Sequence, residues 1–404
     1  MDKLPSYEQA RRLLLDAVAP LGTEALPLAQ CAGRVLAQDA AARQDAPPFD
    51  RSAYDGYAFR ACDVSGASPQ RPVTLRVVGE AAAGCWPARK VSAGEAVKIL
   101  TGAPVPPGAD AVVMYEKTDF TSEAVTLFFP VESGVNVVRV GEDVRAGVML
   151  ARQGDVIDPG LLGTLAAQGM AEISVYRRPR VGVLSTGEEV VEPGDPAQPG
   201  RIYNANRYLL SAALLANGLE PVWLGTAGDD AGAILSLLRQ GLQRCDAVLC
   251  TGGVSAGDYD LTPDAMEKAG AEILCRGVDI KPGMACALGA AEGRLILALS
   301  GNPASAMTSF YAVALPALKK LAGRRDAIPP LFPVKLAGAF PKKSGKIRFL
   351  RGKLDLSDGQ ARMLLPPGQG NAVLSSAIGC DMMAIVPAGS GPLAAGAHLQ
   401  GFML

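Results

Sequence analysis

The sequence predicts a chain of several domains: a central α/β domain with a parallel sheet, flanked by two β-rich segments. Three observations predict it. The length of 404 residues exceeds what one ordinary core fills. Between about residues 179 and 326, continuous apolar runs alternate with amphipathic ones, the pattern of a parallel sheet covered on both faces. On either side of that stretch, short alternating runs are separated by glycine and proline, as in turn-rich β structure.

The elements follow in order. Ser6 with Gln9 three residues on has the form of a capping box, and Leu13, Leu14 and Val18 recur at helical spacing. Residues 5–19 therefore read as a helix. A second short amphipathic segment, LPLAQCAGRVLAQD, runs to Asp39. Residues 46–144 carry PVTLRVVGE, AVKIL, DAVVMYE and AVTLFFP between tight turns, a mostly β segment. Helical pattern returns at LLGTLAAQG after Pro159. VGVLST, PVWLGT, DAVLCTGG and RLILALSG then read as strands. Between and after them lie the helices NRYLLSAALLANG, DDAGAILSLLRQGLQ, TPDAMEKAG and PASAMTSFYAVALPALKKLAG. The first of these stops at Gly218, a natural left-handed cap. Beyond residue 330, FPVKLAGAF, KIRFLRGKLDL, RMLLP, MMAIVP and HLQGFML form a small all-β domain. These textures divide the chain at 1–45, 46–144, 145–178, 179–327 and 328–404.

Charge and residue inventory narrow the chemistry. Lys and Arg number 39 against 40 Asp and Glu, a formal charge of −1, so no global field attracts nucleic acid or an acidic membrane. A phosphate-bearing partner must be held by a local site. Charges interrupt the N-terminal segment, and no run of about 18 uncharged apolar residues occurs, so neither a secretory signal nor a membrane span is expected. A soluble, cytoplasmic protein follows. None of the eight cysteines forms a CxxC pair, and most sit in apolar runs as small hydrophobes. The single histidine, His398, excludes a Ser-His-Asp triad over most of the chain and leaves any metal to oxygen ligands.

In an open parallel α/β domain, ligands bind at the carboxyl ends of the strands. Three loops fall there: Ser185-Thr186-Gly187-Glu188-Glu189, the run from Thr251 to Asp260, and Ser300-Gly301-Asn302-Pro303. Gly252, Gly253 and Gly257 allow close approach of backbone to an anion, and Ser255 adds a hydroxyl. Ser300-Gly301-Asn302 leads into a helix whose first amides suit a phosphate. Glu189, Asp229, Asp258 and Asp260 would suit Mg2+ beside phosphate oxygens. Asp229 and Asp230 also precede a helix, where an acid caps. Lys281, in Asp-Ile-Lys-Pro-Gly, reads equally as an oxyanion clamp or a solvated lysine. FDRSAYDGYA and TGAPVPPGAD, earlier in the chain, read in isolation as structural turns.

Eight stretches, FDRSAYDGYA, TGAPVPPGADAVV, GEDVRAG, VLSTGEEV, YNANRYLL, TGGVSAGDYD, IKPG and SGNPASA, occur in one order over about 260 residues. In these the chain resembles the MoeA/gephyrin family of molybdopterin molybdenumtransferases. The resemblance implies a helical linker domain from two segments, a β-rich domain, a doubly wound molybdopterin-binding α/β domain and a C-terminal β-barrel-like domain. It also implies a homodimer whose site lies between subunits, with Mg2+ as cofactor. The implied activity is molybdate transfer onto adenylyl-molybdopterin with loss of AMP, downstream of a molybdopterin adenylyltransferase. Carried over by motif, Asp55, Thr101, Asp143, Glu189, Asp229 and Asp260 resemble the family's catalytic positions, Asp229 and Asp260 its metal-holding ones. Gly252, Gly253, Ser255, Lys281, Pro303, Arg351 and Ser375 resemble substrate- or molybdate-contacting positions. Adenylylation of molybdopterin, or a non-catalytic scaffold of the same fold, are the alternatives. Two departures stand out: Met284 where many members read KPGKP, and Ser300 where many read LPGNP.

Overall fold

The computed structural model describes residues 3–196, 198–254, 261–357 and 359–404. The chain divides into two compact units. One comprises Met1–Gln38, Gln153–Asp158 and Glu172–Leu404; the other, Asp39–Arg152 and Pro159–Ala171.

The larger unit contains a six-stranded sheet ordered Glu220–Ala227, Arg180–Thr186, Ala247–Thr251, Arg294–Leu299, Cys286–Ala291, Glu272–Arg276. The first four strands are parallel neighbours. Side chains alternate between two cores, as the period-2 geometry of a strand requires. Ala247, Leu249, Leu295, Leu297 and Leu299 face one cluster, with Leu210 and Leu214 of the helix Ala205–Ala216 and with Phe310. Val248, Cys250, Ile296 and Ala298 face the other, with Ile234 and Leu238 of Ala231–Arg244 and Met266 of Thr262–Lys268. This is the doubly wound arrangement expected. Asn204 and Asp230 cap the first two helices, accepting from the backbone N–H groups of Arg207 and Ala233.

Three details differ from the sequence reading. The last two strands run antiparallel to their neighbours. The hairpin of Cys286–Ala291 with Arg294–Leu299 turns at Glu292-Gly293, both at positive φ, a tight turn without the usual Asn-Gly or Asp-Gly signal. The amphipathic segment ending at Asp39 is not a helix. Thr23–Pro27 pairs antiparallel with Glu172–Tyr176, and only Leu28–Gln30 turns, as a 3-10 helix. Pro27 suits an edge strand and cannot continue a helix. The long helix after Asn302 is α-helical over Pro303–Ser309 and Leu315–Leu321, with a π-helical turn at Phe310–Ala314 between them.

The C-terminal strands Ile347–Asp355, Arg362–Leu364, Phe332–Leu336, His398–Met403 and Met382–Val386 close into a five-stranded barrel, because the first also pairs with the last. A two-residue strand, Ile280–Lys281, adds outside it, pairing Lys281 with Arg348. Within Ile347–Asp355, Leu350 faces the barrel interior while Phe349 faces the α/β core. Phe349 packs edge-on against Tyr7 at 5.2 Å and Phe402 at 6.2 Å. Tyr7 comes from the first helix, Tyr7–Asp16, whose predicted Ser6–Gln9 capping box is present. One apolar cluster thus joins the N-terminal helix, the sheet and the barrel.

The smaller unit has its own six-stranded sheet, in which Gly56–Phe59 lies fully buried between Glu95–Ile99 and Ala111–Met114. Among the described residues no helix is long and apolar enough to cross a membrane.

Phe349→Ala empties a buried site where three elements meet and should cost about 3–5 kcal/mol of unfolding free energy. Urea denaturation of the variant checks this; a loss under about 1 kcal/mol would mean that the barrel does not depend on this contact.

Candidate active site

The carboxyl ends of the parallel strands open into a cavity of about 990 Å³. All three predicted loops line it where they are described: Ser185, Thr186, Gly187 and Glu189; Thr251, Gly252, Gly253 and Val254; Ser300 through Pro303. Ser255, Asp258 and Asp260 lie outside the described residues. Hydroxyls tie the loops together beneath the cavity floor. Ser185 Oγ donates to Asn204 Oδ1 at 3.1 Å, Thr186 Oγ1 to the Thr251 carbonyl at 3.2 Å, and Thr262 Oγ1 to the Gly252 carbonyl at 3.3 Å. Gly252 has φ +99°, and a Cβ there would strike Thr186 Oγ1. Only glycine lets the two loops meet. The N–H of Gly252 already donates to the Leu299 carbonyl at 3.0 Å, so its contribution is close approach rather than an anion-facing donor.

The two acids before the helix Ala231–Arg244 have separate tasks. Asp230 Oδ1 caps the helix by accepting from Ala233 at 2.7 Å, and Asp229 lines the cavity. With Glu189 it makes two carboxylates in the described wall, against four cations, Lys281, Lys343, Lys346 and Arg348. The cysteine nearest the loops is inert. Burial pushes the Cys250 thiol up to about 12, and the thiol stays protonated. Where the sequence reading expected most cysteines to be buried, Cys31, Cys245, Cys250 and Cys286 are, while Cys275 and Cys380 are partly exposed and Cys62 and Cys85 exposed.

Three of the four cations, Lys343, Lys346 and Arg348, come from a barrel stretch in which the sequence reading singled out no residue. Lys281 lines the cavity as expected, and its register partner Arg348 lines it too. Arg348 is 5% exposed, donates from Nε to Ser344 Oγ at 3.1 Å and lies over the Phe340 ring. Burial pulls its ionisation downward from the usual arginine value. Arg351, by contrast, is fully buried and absent from the cavity wall. Its Nη2 donates to Ser376 Oγ at 2.8 Å, while Nε and Nη1 meet no acceptor in the described structure. The hydroxyl that reaches Arg351 belongs to Ser376; Ser375 is exposed on the same 3-10 turn, Leu374–Ala377. Arg348, Lys343, Lys346 and Asn206 were not identified from the sequence. The dense KKSGKIR run was the available signal, but a charge run usually marks a solvated surface.

Both departures from the family pattern have a local counterpart. Ser300 Oγ accepts from the Asn302 N–H at 3.2 Å, closing by hydrogen bond a turn that proline would stiffen. Beside Met284, Lys346 Nζ stands 3.2 Å from the thioether sulfur while pairing with Asp279 at 2.7 Å. A cation therefore reaches that point from the barrel side.

In the smaller unit, Asp55 precedes the strand Gly56–Phe59 and Thr101 follows its neighbour Glu95–Ile99, where Gly56 faces Ile99. Thr101 donates to Asp55 Oδ1 from its backbone N–H at 2.6 Å and from Oγ1 at 2.7 Å. A Cβ at Gly56 would overlap the Val113 carbonyl, which is why glycine follows Asp55. Asp143 is exposed, in a loop anchored by its N–H to the Ala46 carbonyl at 3.0 Å. The two Thr101 hydrogen bonds hold the Asp55 carboxyl below the usual range, so it stays charged as pH falls through ordinary carboxylate values. Thr101→Val should move its midpoint upward, since one donor is lost and the backbone donor persists. Carboxyl-carbon NMR titration reads this, and an unmoved midpoint would show that the hydroxyl bond does not set the ionisation.

Comparison with known proteins agrees with this architecture. Residues 5–169 match the MoeA N-terminal region (domain I and II), and residues 182–320 match a probable molybdopterin binding domain. The chain is 35% identical over 364 residues to a molybdopterin molybdenumtransferase of Staphylococcus aureus, covering 90% of this chain and 86% of the relative. It is 37% identical over 367 residues to molybdopterin molybdenumtransferase 2 of Mycobacterium tuberculosis, covering 90% and 91%. The crystal structure of a molybdopterin biosynthesis moeA protein from Pyrococcus horikoshii OT3 superposes with a TM-score of 0.84 at 31% identity, covering 100% of both chains. The chain belongs to the molybdopterin molybdenumtransferase family.

Proposed function

We propose that this protein inserts molybdenum into adenylyl-molybdopterin, taking molybdate as substrate and releasing AMP. The observation that carries the reading is the cavity wall: four cations, two carboxylates and glycine-opened loops at the strand ends, with neither imidazole nor thiol among its described residues. Such a wall holds anions and positions them. Lys281 and Arg348, side by side in register, would hold the oxyanion, with Lys343 on the phosphates. A water directed by molybdate would attack the adenylyl phosphorus, so that the phosphoanhydride P–O bond breaks, AMP departs carrying the water's oxygen and the molybdopterin keeps its own phosphate. One molybdate oxygen then leaves as water with the two dithiolene thiol protons as the sulfurs bond molybdenum.

The donor set fits a hard divalent ion. Glu189 and Asp229 offer oxygen ligands only, and Mg2+ ordinarily takes one or two carboxylates together with phosphate oxygens. Bound there, it would neutralise charge on the phosphoanhydride. Asp260 is a further proposed ligand from the family motif. In a homodimer, the pre-formed Asp55–Thr101 pair and Asp143 of one subunit would complete the cavity of the other. The substrate arrives already adenylylated, so an ATP-dependent adenylyl transfer must precede this step, and we place both in the cytoplasm. Adenylylation as this chain's own activity would account for the match at 182–320 and leave that at 5–169 without a role.

Purified protein in Mg2+ buffer should release AMP from adenylyl-molybdopterin only when molybdate is present, and EDTA should abolish the release. Arg348→Ala should weaken the molybdate dependence about tenfold to hundredfold, the range for losing a charge-assisted hydrogen bond. AMP release indifferent to molybdate, or pyrophosphate formed from ATP, would contradict the assignment.

A further inference from the structure

Asn206 sits in the first turn of the helix Ala205–Ala216, 8% exposed, and is one of the residues that line the cavity. Nδ2 donates to the Gly301 carbonyl at 2.8 Å. That bond fixes the amide's orientation, since a carbonyl can only accept. Oδ1 is consequently the other half of the amide, and it is buried with no donor in the described structure. A buried acceptor without a donor forfeits its hydration with nothing in return, and such groups are rare enough to need an explanation. Its neighbour Asn204 is fully engaged by contrast: Oδ1 accepts from Ser185 Oγ and the Arg207 N–H, and Nδ2 donates to Glu192. Both residues line the cavity, and of the two Asn206 is the one with an unsatisfied side-chain atom.

We infer that Asn206 Oδ1 accepts a hydrogen bond from a ring N–H or exocyclic amine of the bound substrate, making it a residue that reads the substrate's heterocycle rather than its phosphates. The inference rests on the proposed function and adds a recognition element to it. The charge pattern supports a neutral donor. The cations that would take the phosphates and oxyanion, Lys281, Lys343 and Arg348, come from the barrel and the strand beside it, whereas Asn206 presents an acceptor that would repel an anion. Adenylyl-molybdopterin has two heterocycles with N–H donors, the pterin and the adenine. Both offer the same chemistry, and Asn206 can serve one of them.

The test measures equilibrium binding of molybdopterin and of AMP, each alone, to the full-length protein and to Asn206→Ala and Asn206→Asp. Alanine removes the acceptor and the Gly301 bond together; aspartate keeps an acceptor, turns the Gly301 donor into a second acceptor and adds a negative charge, which weakens both anionic ligands alike. One ligand should bind about tenfold more weakly to the alanine variant, with the other within twofold, and aspartate should bring the ratio of the two affinities back near that of the unmodified protein. The weakened ligand names the heterocycle. Equal weakening of both ligands by alanine, or the same altered ratio in both variants, would mean that Asn206 merely clips the Gly301 loop, and no change with alanine would mean that it meets no ligand. Either result overturns the inference and leaves the function standing. Failure of the unmodified protein to bind either probe would overturn both.

Discussion

The seating of the C-terminal barrel against the α/β core is the contact on which the cavity depends. Phe349, one residue from Arg348, is held edge-on by Tyr7 and Phe402 in an apolar cluster that also contains Leu297 and Leu299 of the sheet. Alternation along the strand then decides what its neighbours do. Leu350 turns into the barrel, and Arg348 is carried to the cavity wall, in register with Lys281. Burial of the aromatic residue fixes the cation's position, so packing energy is converted into electrostatic placement. Without that seat the strand-end loops would still exist, but the cavity would lose three of its four cations.

Two like charges placed side by side on adjacent strands oppose each other, and neither has a carboxylate partner among the described residues. A protein tolerates that arrangement where an anion relieves it. Glu189 and Asp229 line the same cavity, acids that would themselves repel a phosphate unless a cation lies between. The two kinds of group would address different parts of one polyanionic substrate. Its floor is rigid by construction: Ser185, Thr186, Thr251 and Thr262 bond one loop to the next, and Gly252 lets them close up.

Much of this was legible in the sequence, and the exceptions have physical causes. Strands buried on both faces announce themselves as apolar runs, so Ala247–Thr251 and Arg294–Leu299 were plain, and loops at their carboxyl ends identified one side of the cavity. Glycine-dense turns placed Gly252 and Gly253. The antiparallel hairpin escaped because Glu292-Gly293 lacks a turn signature and CALGAA is too poor in β-branched residues to declare a strand. Arg348 escaped for a different reason. Whether a lysine- and arginine-rich run is solvated or lines a site depends on a contact between domains distant in sequence, here Phe349 with Tyr7. Asn206 lay within a quoted motif, yet its unsatisfied oxygen is a property of three-dimensional packing alone.

A co-crystal structure with adenylyl-molybdopterin would test most directly the claim that barrel and strand-end loops together form one anion-receiving site. With molybdate added, the account predicts the oxyanion within hydrogen-bonding distance of Arg348 or Lys281, phosphate oxygens at Lys343, and ligand density resting against Gly252, Gly253 and Gly301. Ligand bound through the loops with its phosphates turned away from the barrel, or bound outside this cavity altogether, would contradict it.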